Sequence, residues 1–135
     1  MTLEILDEVA FLFVEQFDNL YGMLVDRTDV KRIRKSADDG EDGLFKVVAS
    51  VFGDKLDDVF VGAANGARDY IAYVDETWTP EDDEDRKRTL ETEAFHLESL
   101  KAVLEIAEKN GLSVVGQIRD ILAEGEEHLR RLKER

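Results

Sequence analysis

The chain of 135 residues has no cysteine, a single proline and no long apolar run. Without cysteine there are no disulfides, thiolate metal ligands or cysteine nucleophiles, and this fits the reducing cytoplasm, where we expect the protein to reside. Apolar runs such as Val9–Val14 are far too short to cross a bilayer. The acidic start also lacks the basic region of a signal peptide, so we expect no membrane association.

The chain also has few positively charged residues relative to its acids. There are 18 Lys and Arg against 32 Asp and Glu, which gives a net charge of −14. Such a chain repels phosphates, so we do not expect general nucleic-acid binding or attraction to anionic lipid. The acid surplus has four readings: solubility, a salty environment, a basic protein partner, or metal cations. The length and the apolar share of 43% predict one domain, residues 1–135, around one core.

Apolar residues recur at helical spacing along the whole chain, which predicts an all-α domain, a compact bundle of four to five helices. The first predicted helix covers Leu3–Arg27 and is apolar on more than one face. This is typical of a central helix or of one shared with a second copy, so we expect a homo-oligomer. Further helices are predicted over Leu44–Phe52, after a loop at Ser36–Gly43, and over Lys55–Glu76. The count falls to four if Leu44–Glu76 is continuous.

The last two predicted helices form a C-terminal antiparallel helical hairpin. Thr79 suits the cap and Pro80 the first position of a long helix that ends near Lys109. Asn110-Gly111 is a stop signal, and the final helix runs from Ser113 to the chain end. Because the connection is short, the two helices should be antiparallel neighbours.

Both histidines lie in this hairpin. His96 follows Glu93 in Glu-Ala-Phe-His, and His128 follows Glu124 in Glu-Gly-Glu-Glu-His. Folding the hairpin about position 111 puts the two histidines at nearly the same height. The Glu-x-x-His spacing places a carboxylate and an imidazole on one helical face, as in carboxylate-bridged metal sites.

Glu93 and His96 resemble one motif of the ferritin-like di-iron proteins, which carry Glu-x-x-His on two helices and single glutamates on two others. The second motif departs from that pattern, because Gly125 stands three residues before His128 and Glu124 is one step further back. The resemblance implies a site for iron, manganese or zinc made by Glu93, His96, Glu124 and His128. The alternative is two ordinary histidines at amphipathic helix edges, with no cofactor.

Two charged segments are candidate partner-binding sites. Glu81–Asp85 is a run of five acids that is either a solvated helix start or a contact for a basic protein surface, through Glu81, Asp82 and Asp83. Trp78, just before it, is either an interface anchor or a local cap over the core.

The second segment, Arg27–Lys35, holds five cations and one anion. Arg32 and Arg34 in it either contact an acidic partner or phosphate, or are neutralised by acids of the same chain. The small residues of Gly62–Ala67 predict close helix packing, the alternative being a ligand contact near Asn65.

No Ser-His-Asp arrangement and no assignable carboxylate pair is visible, so we expect a protein that is not an enzyme. The sequence favours an acidic helical protein-interaction module. Two versions are a small subunit of an assembly and an inhibitor or immunity-type protein that binds a basic protein surface. The alternative function is a ferritin-like metal-binding bundle.

Overall fold

A computed structural model describes residues 1–21 and 26–135, without the side chains of Phe17, Leu20 and Tyr21. Within these residues the regular structure is helical, with no strand, which confirms the all-α prediction. Short 3₁₀ turns at Ala37–Asp39 and Gly53–Lys55 link successive helices. The α-helices are α1 (Leu3–Tyr21), α2 (Arg27–Ser36), α3 (Gly40–Phe52), α4 (Leu56–Thr77), α5 (Asp83–Lys109) and α6 (Val115–Lys133). None of the helices described is long and apolar enough to cross a membrane.

Helices α1, α4, α5 and α6 make the bundle, and α4 packs against the other three. The hairpin prediction is confirmed, because Glu108 near the end of α5 pairs with Arg119 early in α6, at 3.0 Å. At the other end of the same pair of helices, Arg86 reaches the carbonyl of Lys133 at 2.7 Å. Helices α5 and α6 are therefore antiparallel neighbours along their length.

The core lies mainly between these four helices, and α2 and α3 add buried side chains such as Ile33 and Val48. Phe13 of α1 and Phe60 of α4 are fully buried, with ring centroids 4.7 Å apart. The predicted inward stripe of α5 is also buried, at Leu97, Leu100 and Leu104. Each fully buried side chain of this size contributes about 1.5 to 3 kcal/mol, so the apolar stripes hold the bundle together.

The segment after α1 differs from the prediction. The predicted helix to Arg27 is wrong at its end, because Asp26 is the N-cap of a new helix, its Oδ1 accepting from the Thr28 amide at 2.7 Å. Residues 22–25, which belong to the same predicted helix, lie outside the described part. The loop predicted at Ser36–Gly43 is also wrong, since a 3₁₀ turn leads into α3. Buried Ile33 and Ala37 hold this segment against the bundle, and burial outweighs its polar composition.

The start of α5 also lies later than Thr79 and Pro80. Asp82 is the N-cap, and its Oδ1 accepts the Asp85 amide at 2.7 Å. The Asp85 carboxylate in turn accepts the Glu81 amide at 3.1 Å, which folds the segment before α5 into a turn. The carboxylates of Asp82 and Asp85 thus place the start of α5 after Thr79 and Pro80. The predicted stop is confirmed, with Gly111 at a φ of 64° beyond the last turn of α5.

Two glycines allow close helix packing. A Cβ at Gly125 of α6 would lie 3.2 Å from Leu100 Cδ2 and 3.8 Å from Ile71 Cδ1, so this position brings α6 close to α5 and α4. Gly66 of α4, in the predicted small-residue patch, is buried and faces Gln16 of α1. Asn65 is half-exposed and lines an open cleft of about 430 Å³.

Candidate functional site

Glu93 and His96 interact on α5, as their spacing predicts. The Glu93 Oε2 lies 3.0 Å from His96 Nδ1, and Glu93 is only 3% exposed. The His96 ring stacks on Tyr70 of α4 with centroids 4.8 Å apart. This pair therefore lies at the contact between α4 and α5.

Tyr70 extends the same cluster to α1. Its hydroxyl donates to the Glu15 carboxylate, with the shorter distance 3.1 Å. Burial, together with the nearby charge of Glu15, raises the pKa of Tyr70. The phenol therefore stays neutral and acts as a donor, and Glu15 is bound to Tyr70.

His128 has a different partner. Its Nδ1 lies 2.7 Å from Oδ2 of Asp75, a carboxylate on α4 that is 5% exposed. Arg135 donates to the other oxygen of Asp75 at 2.7 Å, and Arg131 lies 3.4 Å from Oδ2. One buried carboxylate thus joins α4 to three cationic or potentially cationic side chains at the end of α6.

Glu124, the fourth predicted metal ligand, pairs with Arg68 of α4 at 2.7 Å. Each part of the predicted ligand set thus has its own partner: Glu93 pairs with His96, His128 with Asp75, and Glu124 with Arg68. Among the residues described, no three His, Asp or Glu side chains come together as a group that could hold a metal ion. The metal site therefore stays a prediction, and the contacts observed are one pair within α5 and two pairs between α4 and α6.

The predicted partner-binding residues at the start of α5 divide into two kinds. Trp78 is half-buried against the core and donates from Nε1 to Asp85 at 3.2 Å, so it forms a local cap. Asp82 is occupied as the N-cap. Glu81 and Asp83 expose their carboxylates to solvent and have no ion-pair partner within the described residues.

The predicted cations on α2 are neutralised nearby. Arg32 pairs with Asp29 at 3.3 Å, and Arg34 pairs with Asp7 of α1 at 3.1 Å. Arg34 also lies over the half-exposed Phe11 ring, 5.9 Å from its centroid. Arg34 therefore attaches α2 to α1, whereas the pair made by Arg32 lies within α2.

Sequence reasoning missed a groove of about 360 Å³ between the first turn of α1 and the second half of α5. Its lining combines apolar side chains with carboxylates: Met1, Thr2, Glu4, Ile5, Phe95, Glu98, Lys101, Ala102 and Glu105. We call this feature the α1–α5 groove. One signal was available, since Phe95, Glu98, Ala102 and Glu105 recur at spacings of three and four on one face of α5. The sequence does not show that α1 packs beside this face of α5 without covering it.

Comparison of the chain with protein-family models, with curated proteins and with solved structures gives no match. Its function is therefore inferred from the fold and from the chemistry of its surface.

Proposed function

We propose that this chain is a non-enzymatic, acidic helical protein-interaction module that binds a basic surface of a partner protein. The observation that carries the proposal is that ion pairs within the bundle leave an excess of unpaired acids at the surface. Cations are paired across helices within the bundle, as Arg34 is with Asp7, Arg68 with Glu124, and Arg119 with Glu108. Lys109 likewise binds both Glu41 and Asp42 of α3. Because the chain has 18 Lys and Arg against 32 Asp and Glu, an excess of acids remains after these pairs are formed.

One regular row of outward acids lies on α5. Glu84, Glu91, Glu98 and Glu105 recur every seven residues and are exposed. Glu98 alone of these four has an ion-pair partner among the described residues, Lys101 at 3.4 Å. Exposed cations, such as Lys87 and Arg88, lie on the same helix, but with the acids at its start the exposed surface of α5 is negative on balance. A surface of one sign attracts a basic partner and raises the rate of encounter, an effect that salt weakens.

Two kinds of partner fit this proposal, a neighbouring subunit of an assembly and a basic protein whose active surface is blocked. Self-association belongs to the same proposal, because Leu3 and Phe11 are exposed apolar residues on α1.

Charge reversal of three exposed acids, Glu81→Lys with Asp83→Lys and Glu84→Lys, should reduce capture of a basic partner from a lysate of the native host. Asp82 is left unchanged, because it caps α5.

The matched control reverses acids on α6, Asp120→Lys with Glu126→Lys, which are exposed and outside the α5 surface. The proposal expects capture that is lost in high salt and in the α5 variant but retained in the control. Equal capture by both variants, or a partner retained at high salt, would count against an acidic recognition surface on α5.

A further inference from the structure

We propose that the α1–α5 groove binds a cationic amphipathic helix of the partner protein. This proposal rests on the proposed function and deepens it by naming the segment that the acidic surface recognises. Helix-in-groove recognition needs an apolar floor for one face of the helix and polar edges that fix its orientation. The α1–α5 groove has both.

The floor is apolar and only partly covered. Ile5 of α1 and Phe95 of α5 are half-buried, and Ala102, which also lines the groove, is buried. Met1, which also lines the groove, is 51% exposed, and the neighbouring Leu3 is 60% exposed. The apolar stripe of a docked helix would remove these side chains from water, which is favourable at about 25 cal/mol per Å².

The edges of the groove are acidic on both sides. Glu4 lies on the α1 edge, and Glu8 follows it one helical turn later. Glu98 and Glu105 lie on the α5 edge, where Lys101 is the lining cation, 3.4 Å from Glu98. Three carboxylates, Glu4, Glu98 and Glu105, thus line the groove with one cation, so cations on both flanks of a bound helix would be attracted to its edges.

This charge pattern selects one class of occupant. An anionic ligand would meet repulsion from both edges. Among the described helices of a second copy, α2 is basic, but its apolar residue Ile33 is buried against its own bundle and Val30 is only partly exposed. A docked α2 would therefore present cations such as Lys31 without an apolar stripe for the floor. A cationic helix with an apolar face satisfies both the floor and the edges.

The length of the α5 edge sets the size of the partner segment. From Phe95 to Glu105, the part of α5 that lines the groove, the helix rises about 15 Å at 1.5 Å per residue. A partner helix of about three turns or more would cover it. A synthetic peptide of about 18 residues, with leucines at helical spacing and lysines elsewhere, is therefore a suitable probe.

The test measures fluorescence anisotropy of this labelled peptide against the full chain. A peptide with the same residues in scrambled order, which has no apolar face, should bind about tenfold or more weakly. Glu98→Lys with Glu105→Lys should weaken the amphipathic peptide by about tenfold or more, and the control Asp120→Lys with Glu126→Lys should change affinity by less than about twofold. Phe95→Ala should also weaken binding while retaining a helical spectrum.

Three results would overturn the groove proposal. Equal affinity for the ordered and scrambled peptides would mean that charge alone is recognised. Unchanged affinity of the Glu98 and Glu105 variant would place the peptide elsewhere. A dimer in light scattering that becomes monomeric in that variant would make a second copy the occupant. If the peptide does not bind the groove but capture of a partner still depends on the acids at the start of α5, only the groove proposal is wrong. If the peptide binds the groove but capture does not depend on those acids, they are not part of the recognition surface.

Discussion

The Nδ1 of His128 lies 2.7 Å from the Oδ2 of Asp75, which joins the last turns of α6 to the C-terminal end of α4. Asp75 also accepts from Arg135, so a single buried carboxylate holds the end of the chain against the bundle. The sequence predicts His128 as a metal ligand, and in the structure its Nδ1 is within hydrogen-bond distance of Asp75.

Asp75→Ala should destabilise the protein by about 2 to 3 kcal/mol. The substitution removes the anion that His128, Arg131 and Arg135 share, and leaves these side chains close together without it. The free energy of unfolding in denaturant measures the effect. The neighbouring and exposed Glu76→Ala is the control and should change stability by less than about 0.5 kcal/mol. If both variants are equally stable, Asp75 does not hold α6.

Gly125 and Gly116 on α6 provide a second comparison. Nothing lies within 4 Å of a Cβ built at Gly116, so Gly116→Ala should stabilise α6 by about 0.5 kcal/mol through helix propensity. At Gly125 the same methyl group would lie 3.2 Å from Leu100 Cδ2, so this close contact should cancel the stability that Gly125→Ala gains from helix propensity. Gly125→Val should cost about 1 to 3 kcal/mol by overpacking. A Gly125→Val variant as stable as the parent would contradict the close contact of α6 with α5.

The carboxylate of Asp85 should make stability depend on pH in acid. The Glu81 amide, with further donors at Trp78 and Arg88, holds the pKa of Asp85 below its ordinary value of 3.8. A lowered carboxyl pKa stabilises the folded state above its ordinary value, and this contribution is lost as the pH falls through the folded pKa. Asp85→Asn should therefore melt lower than the parent at about pH 7, and the gap should close in acid.

Melting curves followed by the fluorescence of Trp78, the single tryptophan, test this pH dependence directly. Glu84→Gln, an exposed neighbour, is the control and should leave the curve unchanged. A gap between Asp85→Asn and the parent that widens in acid would show that the pKa of Asp85 is not lowered.

Added metal should not stabilise the protein. The predicted ligands Glu93, His96, Glu124 and His128 are divided among separate hydrogen-bonded pairs. A metal that bound the folded state would stabilise it by about 2.7 kcal/mol at one hundred times its dissociation constant. Melting temperatures with Fe(II), Mn(II) and Zn(II) test this. A rise that is lost in His96→Ala and His128→Ala would instead favour the ferritin-like alternative.

The helices and much of the core follow from local signals. The spacing of Leu97, Leu100 and Leu104 predicts the inward face of α5, and Gly111 predicts its end. These features depend on residues a few positions apart, so periodicity and capping are enough to find them. The contact of Glu93 with His96 was predictable for the same reason.

The remaining features depend on which helices pack together. Asp75 meets His128 because α4 lies beside α6, and the sequence does not specify that pairing. Helix α2 was missed because its polar composition hides the buried Ile33. The α1–α5 groove was missed because its floor and acidic edges come from segments about ninety positions apart, as with Glu4 and Glu98.

The most direct test of the interaction proposal is a two-dimensional amide NMR titration of the full chain with the cationic amphipathic peptide. The account predicts shift changes concentrated in the first turn of α1 and along Glu91–Glu105 of α5, with α6 unaffected. Changes spread evenly over all acidic surfaces, or confined to α6, would contradict the claim that this face recognises a basic helix.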